Sequence, residues 1–399
     1  RSVSAFLLNR SSDLKIFIAK GTATEPIVFT SEQAPGSRRP GDWGGVIVCG
    51  KAPNNNGVLA QQIEGGPRTK HGGIDANDNS GVLQYVRIEF AGYPFKKDQE
   101  INGLTLGSVG AGTTVDHVQI SYSNDDSFEW FGGTVNCKYL IAYRGWDDDF
   151  DTDNGYSGNV QFGLSVRDSR IADASQSNGF ESDNNAEGST AEPFTSATFS
   201  NMTFLGPKVF DADSLDGGKM NPGNGSSTGR FQAGMHLRRN TRLNCYNSVV
   251  AGWPIGLILD SEKGNTQKAA TDGLLQLHRI VFAGTDLTGS DFNKVYKDEL
   301  YDYKTKTTDP SKKSFSSTFF LLQANGNKVV DQWVARSWQG IQSIIAASTS
   351  VGGALQGSFA ELQSNNWFDK SATFVGAFRD ASDDWTAGWA NFDPENTIY

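Results

Sequence analysis

Short stretches of alternating apolar and polar residues recur along this chain. The clearest pair is GVLQYVRIEFAGY (81–93) and GLLQLHRIVFAGT (273–285). They agree at Gly, Leu, Gln, Arg, Ile, Phe, Ala and Gly, almost two hundred residues apart. Weaker copies lie at 113–125, 133–145, 196–207 and 241–253. Each reads as a half-buried β-strand of period two, ended by a turn. Taken from Leu83, Val115, Val135, Phe199, Leu243 and Leu275, the copies are 32, 20, 64, 44 and 32 residues apart. The longest gap has room for one more rung, for which NVQFGLSVRDSRIADAS (159–175) is the natural candidate.

Such units cannot bury an apolar face alone, but stacked neighbours can. Hairpins would place two-residue turns between adjacent strands, whereas these strands return after a full circuit. The pattern predicts an all-β fold, a right-handed parallel β-helix (a solenoid), as a single domain over residues 1–393. Residues 286–315 break the pattern as a lysine- and tyrosine-rich insertion. A short helix is expected there over Asn293–Tyr303, with TFFLLQ resuming as strand. Residues 330–399, partly helical and carrying Trp385 and Trp389, are expected to cap the last open coil, since an uncovered coil edge invites aggregation.

Cys137 and Cys245 fall at one rung position, shared with Tyr85, His117, Asn201 and Leu277. With two rungs between them they would lie ~14 Å apart at about 4.8 Å per rung, too far for a disulfide. Both are expected as free thiols in the interior, and His117 as a core or rim histidine.

Composition narrows the function. Gly is 45 of 399 residues and only 20% are charged, which suits turns and strands. The net charge of −10 argues against nucleic acid and anionic membranes as partners. No apolar run is long enough to span a bilayer, and the first residues lack a signal-peptide core. Walker, CxxC and HExxH motifs are absent.

The chemistry concentrates in RGWDDDFDTDNGYSG (144–158). Aligned by phenylalanine, DDSFEWFGG, DDDFDTDNG and SNGFESDNN place Phe128, Phe150 and Phe180 on successive coils. With phenylalanine inward, Glu129, Asp151 and Glu181 point outward, and so do Phe131, Asp153 and Asp183 two residues later. Stacked carboxylates require open water, a cation or protonation. Hard oxygen donors suit Ca²⁺ better than zinc, and Asp147, Asp149, Asp151 and Asp153 are the expected metal ligands. An EF-hand is excluded, because Val160 stands at its twelfth position. A solvated acidic turn and a catalytic carboxylate pair remain as alternatives. Trp130, Trp146, Tyr156 and Asn154, beside Glu129, Glu181 and Asp183, form the expected ligand-binding face, with sugars stacking on aromatic rings.

The segments GTATEPIVFTS, GDWGGVIVCGKAPNN, LQYVRIEFAGY, INGLTLGSVGAGTTVDHVQ, FEWFGGTVNCKYL, GWDDDFDTDNGYSGNVQF and FVGAFRDASDDWTAGWANF resemble, as a set, the large pectin-lyase-like β-helix proteins of Bacteroidota. The resemblance covers roughly residues 20–393. It implies export to the cell surface, as an outer-membrane lipoprotein or a secreted protein, with further sequence ahead of the IFIAKGT strand. It implies little about chemistry. The resulting expectation is a non-enzymatic binding or accessory subunit for a glycan or protein ligand, beside an outer-membrane transport complex or other surface protein. The alternative is a Ca²⁺-dependent polysaccharide lyase or a glycoside hydrolase. In the lyase, Asp149, Asp151 and Asp153 would hold the metal and Arg144, Arg167 or Arg170 would act.

Overall fold

Each coil contributes one strand to each of two parallel sheets, so strands that are neighbours in space are a full circuit apart in sequence. The computed structural model describes residues 6–9, 16–64, 69–96, 99–211, 229–291, 300–302, 305 and 307–399. They form two compact units: residues 1–158, 191–195 and 385–399, and residues 159–190 and 196–384.

In the first unit one sheet runs Phe6–Asn9, Val46–Cys49, Leu104–Val109, Phe128–Gly133, Phe150–Asp153, all parallel. In the other, Phe17–Lys20 and Ile27–Phe29 both pair with Gly81–Glu89, followed by Thr114–Ser121 and Asn136–Tyr143. The interior is built from stacked columns such as Leu83–Val115–Cys137 and Ile88–Ile120–Ala142, all buried.

In the second unit, Phe180–Ser182, Ala233–Leu237, Ile255–Leu259 and Leu287–Ser290 form one parallel sheet. Asn159–Val166, Thr198–Leu205, Asn244–Ala251, Leu277–Ala283 and Lys328–Val330 form the other. The Asn159–Val166 strand is the rung expected in the longest gap.

One residue per rung departs from strict alternation. Tyr85, His117 and Tyr139 have φ of 50, 55 and 57° in the first unit. Phe162, Asn201, Asn247 and Arg279 have φ between 49 and 65° in the second. A left-handed residue adds one position to the strand, as in a β-bulge. Interior positions are therefore Leu83, Val86 and Ile88, with two residues between the first pair. This corrects the expected register. Cys137 pairs with Val115, and Cys245 with Phe199 and Leu277, two residues later than alternation from Val135 and Leu243 implies. Tyr85, His117 and Asn201 belong to the bulge column. The thiols of Cys137 and Cys245 are free and buried, as expected, and so is that of Cys49.

The end of the second unit is closed differently from the expectation. TFFLLQ does not resume as strand. Helix Phe315–Phe320, capped by Ser314 Oγ accepting from Ser317 N at 2.9 Å, packs against the last coil. Phe320 lies flat on Phe282, with ring centroids 3.8 Å apart. Most of the helix expected at 293–303 lies outside the described residues, and its end, Tyr301–Asp302, pairs antiparallel with Thr307–Thr308. Helix Ile341–Gly352 packs its buried Ile344, Ile345 and Ala347 inward, with Thr203 and Ser348 hydroxyls 2.7 Å apart.

The chain beyond that helix runs along the flank as an irregular strap. Side-chain amides hold it by paired bonds to its backbone. Gln161 donates to Asp369 O at 3.0 Å and accepts from Asp369 N at 2.8 Å. Asn247 treats Ser358 alike, at 3.0 and 2.9 Å. In the first unit Gln119 does the same for Asn391, at 2.6 and 2.8 Å.

Candidate functional site

The acidic site of the first unit is built at the corner where each coil enters the Phe128–Gly133 sheet. Tyr122 and Arg144 turn the chain there with φ of 54 and 57°. Each corner then carries two or three carboxylates: Asp125 and Asp126 on one coil, Asp147, Asp148 and Asp149 on the next. Backbone bonds keep the corners in register, with Gly103 N donating to Asp126 O at 2.9 Å and Ser127 N to Asp148 O at 2.9 Å. The strands that follow stack Thr105, Glu129 and Asp151 in one outward column. Sequence alternation and parallel register thus drive like charges together.

Two groups result. Asp125, Asp126 and Asp147 each bring a carboxylate oxygen within 4.8 Å of the others, and so do Asp126, Glu129 and Asp151. Asp126 is common to both. Asp126 and Glu129 are only 7% and 5% exposed. Asp126 Oδ1 accepts from Asp148 N at 2.8 Å, and Glu129 accepts from the Asn102 amide. Burial pushes the Asp126 carboxyl well above the usual carboxylate range, and Asp125, Asp148, Asp151 and Glu129 push it further. Glu129 is raised for the same reasons, by burial first and then by Glu64, Asp151, Asp125 and Asp153.

The donor set fits a hard divalent cation. Oxygens at ~2.4 Å from a Ca²⁺ ion lie at most about 4.8 Å from one another, which matches the spread of each group. The donors are carboxylates alone, without the nitrogen or sulfur that zinc prefers. The expected ligand set changes accordingly. Asp147 and Asp151 take part, one in each group, whereas Asp149 and Asp153 belong to neither. Asp149 is fully buried, and Asp153 accepts both the backbone and side-chain N–H of Asn154, at 2.5 and 3.0 Å. Asp125 and Asp126 were missed as ligands, although aligning Phe128 with Phe150 already superposes Asp125 on Asp147.

The expected ligand-binding face divides. The alternation that turns Glu129 outward turns Trp130 inward. Trp130 and Tyr156 are fully buried and stack on each other, centroids 5.3 Å apart, with Phe128 and Phe150 against Trp130. The Tyr156 hydroxyl donates to Val135 O at 2.9 Å. Neither ring offers a face to a sugar, so both leave the ligand-binding set for the core. Trp146 is half-buried at the acidic corner. Asn154 is buried in the left-handed conformation and accepts from Asn56 Nδ2 at 2.7 Å.

Glu181 and Asp183 lie in the second unit, among cations. Arg238 pairs with both, and its Nε is 2.8 Å from Asp183. Arg239 reaches Asp183 at 2.6 Å. His236 stands opposite Glu181 in the ladder, with Nε2 3.2 Å from Asp260. These carboxylates are neutralised by side chains. Around Asp126, the neighbouring carboxylates Asp125, Asp148, Asp151 and Glu129 act on it as like charges.

The arginines considered for proton abstraction are engaged structurally. Arg144 donates to the Tyr122 hydroxyl at 2.9 Å and lies over Tyr143. Arg167 is buried against Phe231 and Trp253. Arg170 binds Asp168 in bidentate fashion at 2.9 and 2.7 Å.

Against known proteins, a family model described as a pectate-lyase like beta helix domain matches residues 6–339. No curated protein and no solved structure matches the chain.

Proposed function

From the premise that the chain belongs to the pectate-lyase-like β-helix family, we propose that it is a non-enzymatic binding scaffold whose acidic corner is loaded with Ca²⁺. The observation that carries this reading is Asp126, buried and shared by two groups of three carboxylates. Mutual repulsion at that position is relieved by a divalent ion, which also supplies a positive centre for the carboxylates or hydroxyls of a surface ligand. The engagement of Arg144, Arg167 and Arg170 supports binding over β-elimination. The family resemblance adds the setting, a cell-surface or secreted accessory subunit facing a glycan or a partner protein at the outer membrane.

Calorimetry and thermal melts in CaCl₂ and in EGTA test the metal. Calcium raises the melting temperature, and Asp126→Asn removes the rise. Incubation with uronic-acid polymers tests the chemistry, and no unsaturated product is expected. Absence of any calcium-linked shift sinks the metal reading. Unsaturated product that disappears in Asp151→Ala replaces the scaffold with a lyase.

A further inference from the structure

Ser196–Asp384 belongs to the second unit, and Trp385–Tyr399 belongs to the first. This last segment holds neither strand nor helix. It shapes itself through turns: Ala390 N donates to Thr386 O at 3.1 Å, Thr397 Oγ1 to Asp393 O at 2.7 Å, and Asn391 Nδ2 to Thr397 Oγ1 at 2.8 Å. So shaped, it is gripped by side chains of the coil.

Five of its carbonyls are taken by side-chain donors. Arg87 reaches Trp389 O at 3.1 Å, Gln119 reaches Asn391 O at 2.6 Å and Tyr143 reaches Phe392 O at 2.9 Å. Arg38 reaches Pro394 O at 2.6 Å and Thr397 O at 2.9 Å. Side chains are read as well. The Tyr399 hydroxyl donates to both oxygens of Glu89, at 2.7 and 2.8 Å, and its ring lies under Arg38 at 4.9 Å. Tyr122 donates to Glu395 at 2.8 Å. The receiving groups are buried: Glu89, Gln119 and Tyr143 fully, Arg38 and Tyr122 to 4% exposure.

We infer that this flank of the first unit is a receptor site for a turn-shaped polypeptide, that Trp385–Tyr399 occupies it as an exchangeable latch, and that the same segment of a second copy of the chain is its other occupant. Glu89, Arg38 and Gln119 are buried with the segment in place, so opening trades their direct bonds for water, and an occupant that restores those bonds is favoured. Every contact is to the segment's own backbone and side chains and is the same whichever copy supplies it. The four residues before the half-buried Asp383, 379–382, are exposed and serve as the tether. Exchange of identical elements is then set by the effective concentration of the tethered segment against that of free copies.

The test uses full-length chains and hydrogen exchange. In Tyr399→Phe, amides of 385–399 exchange as a block at least tenfold faster, while those of Thr114–Ser121 keep their rates. A labelled synthetic peptide of sequence 385–399 then binds the Tyr399→Phe chain saturably, and its own Tyr→Phe version binds at least tenfold more weakly. Two outcomes overturn the inference. In one, segment and coil amides accelerate together, which makes the segment an inseparable part of the core. In the other, the segment opens as a block but the peptide does not bind.

Discussion

Glu129 stands directly opposite Asp151 across one rung of the parallel ladder. Asp126 brings an oxygen within 4.8 Å of both. Two unit charges at that distance repel by about 3.5 kcal/mol at an effective dielectric of 20. The fold therefore holds them by protonation or by a cation, and the two differ in their response to pH.

The first prediction follows from that difference. Without calcium, Glu129 titrates above its ordinary range because it is buried among carboxylates. Between the unfolded and folded values the native state binds the extra proton, so stability from this group falls as pH rises through the folded value. Glu129→Gln mimics the protonated form. In EGTA it should match the wild type near pH 4.5 and exceed it at pH 8 by roughly 1–3 kcal/mol. Saturating calcium should invert the order, since a ligand at a hundred times its Kd adds about 2.7 kcal/mol to the chain that binds it. Urea titrations at both pH values measure this. A wild type as stable as the variant at pH 8 in EGTA would place Glu129 outside any strained cluster.

A second prediction concerns the closed end of the second unit. Phe320 stacks on Phe282 and is fully buried. Phe320→Ala should cost about 3–5 kcal/mol, the usual loss for a buried phenylalanine. It should also uncover the Leu287–Ser290 edge, giving concentration-dependent aggregation by light scattering. A loss under 1 kcal/mol with no aggregation would assign the closure of that end to other residues.

Much of this architecture was legible in the sequence because each rung repeats a strand pattern. The stacking of Glu129 on Asp151 followed from aligning Phe128 with Phe150. What misled was the left-handed residue in every rung. Tyr85, His117, Tyr139 and Asn201 sit where strict alternation places an interior side chain. No glycine marks the position, so period two overran it. The cysteines moved by two residues because the repeat aligns Val135 and Leu243, one alternation before them, with Val115 and Phe199. Trp130 and Tyr156 were misplaced for another reason. An aromatic beside carboxylates reads as a sugar platform, yet the alternation already turned Trp130 inward. The strap was not legible at all. Gln119 and Gln161 bind partners 272 and 208 residues away through lone amides, which carry no periodicity.

The third prediction uses the thiols. Burial pushes Cys49, Cys137 and Cys245 up to about 12. At pH 8 their thiolate fraction falls about a thousand-fold below that of an ordinary cysteine, and access falls with it. Ellman's reagent should find no reactive thiol in the native chain and three per chain in guanidinium. Fewer than three after unfolding, without reductant, would reveal a disulfide that the buried free thiols exclude.

The last prediction concerns the amides that hold the strap. Gln161 is fully buried and gives Asp369 both a donor and an acceptor, while its Nε2 also lies 3.2 Å from Asn201 Oδ1. Gln161→Leu keeps the volume and removes both bonds. The backbone N–H and C=O of Asp369 then lose their side-chain partners, each at a cost of about 1–3 kcal/mol. The sum expected is roughly 2–4 kcal/mol in a urea titration. The effect should also be local. Amides near Asp369 and Phe374 should exchange faster than those of the Thr198–Leu205 strand behind them, because the strap makes no ladder with that sheet and can lift without unwinding a coil. Uniform acceleration of strap and strand would instead show that the strap opens only when the coil does.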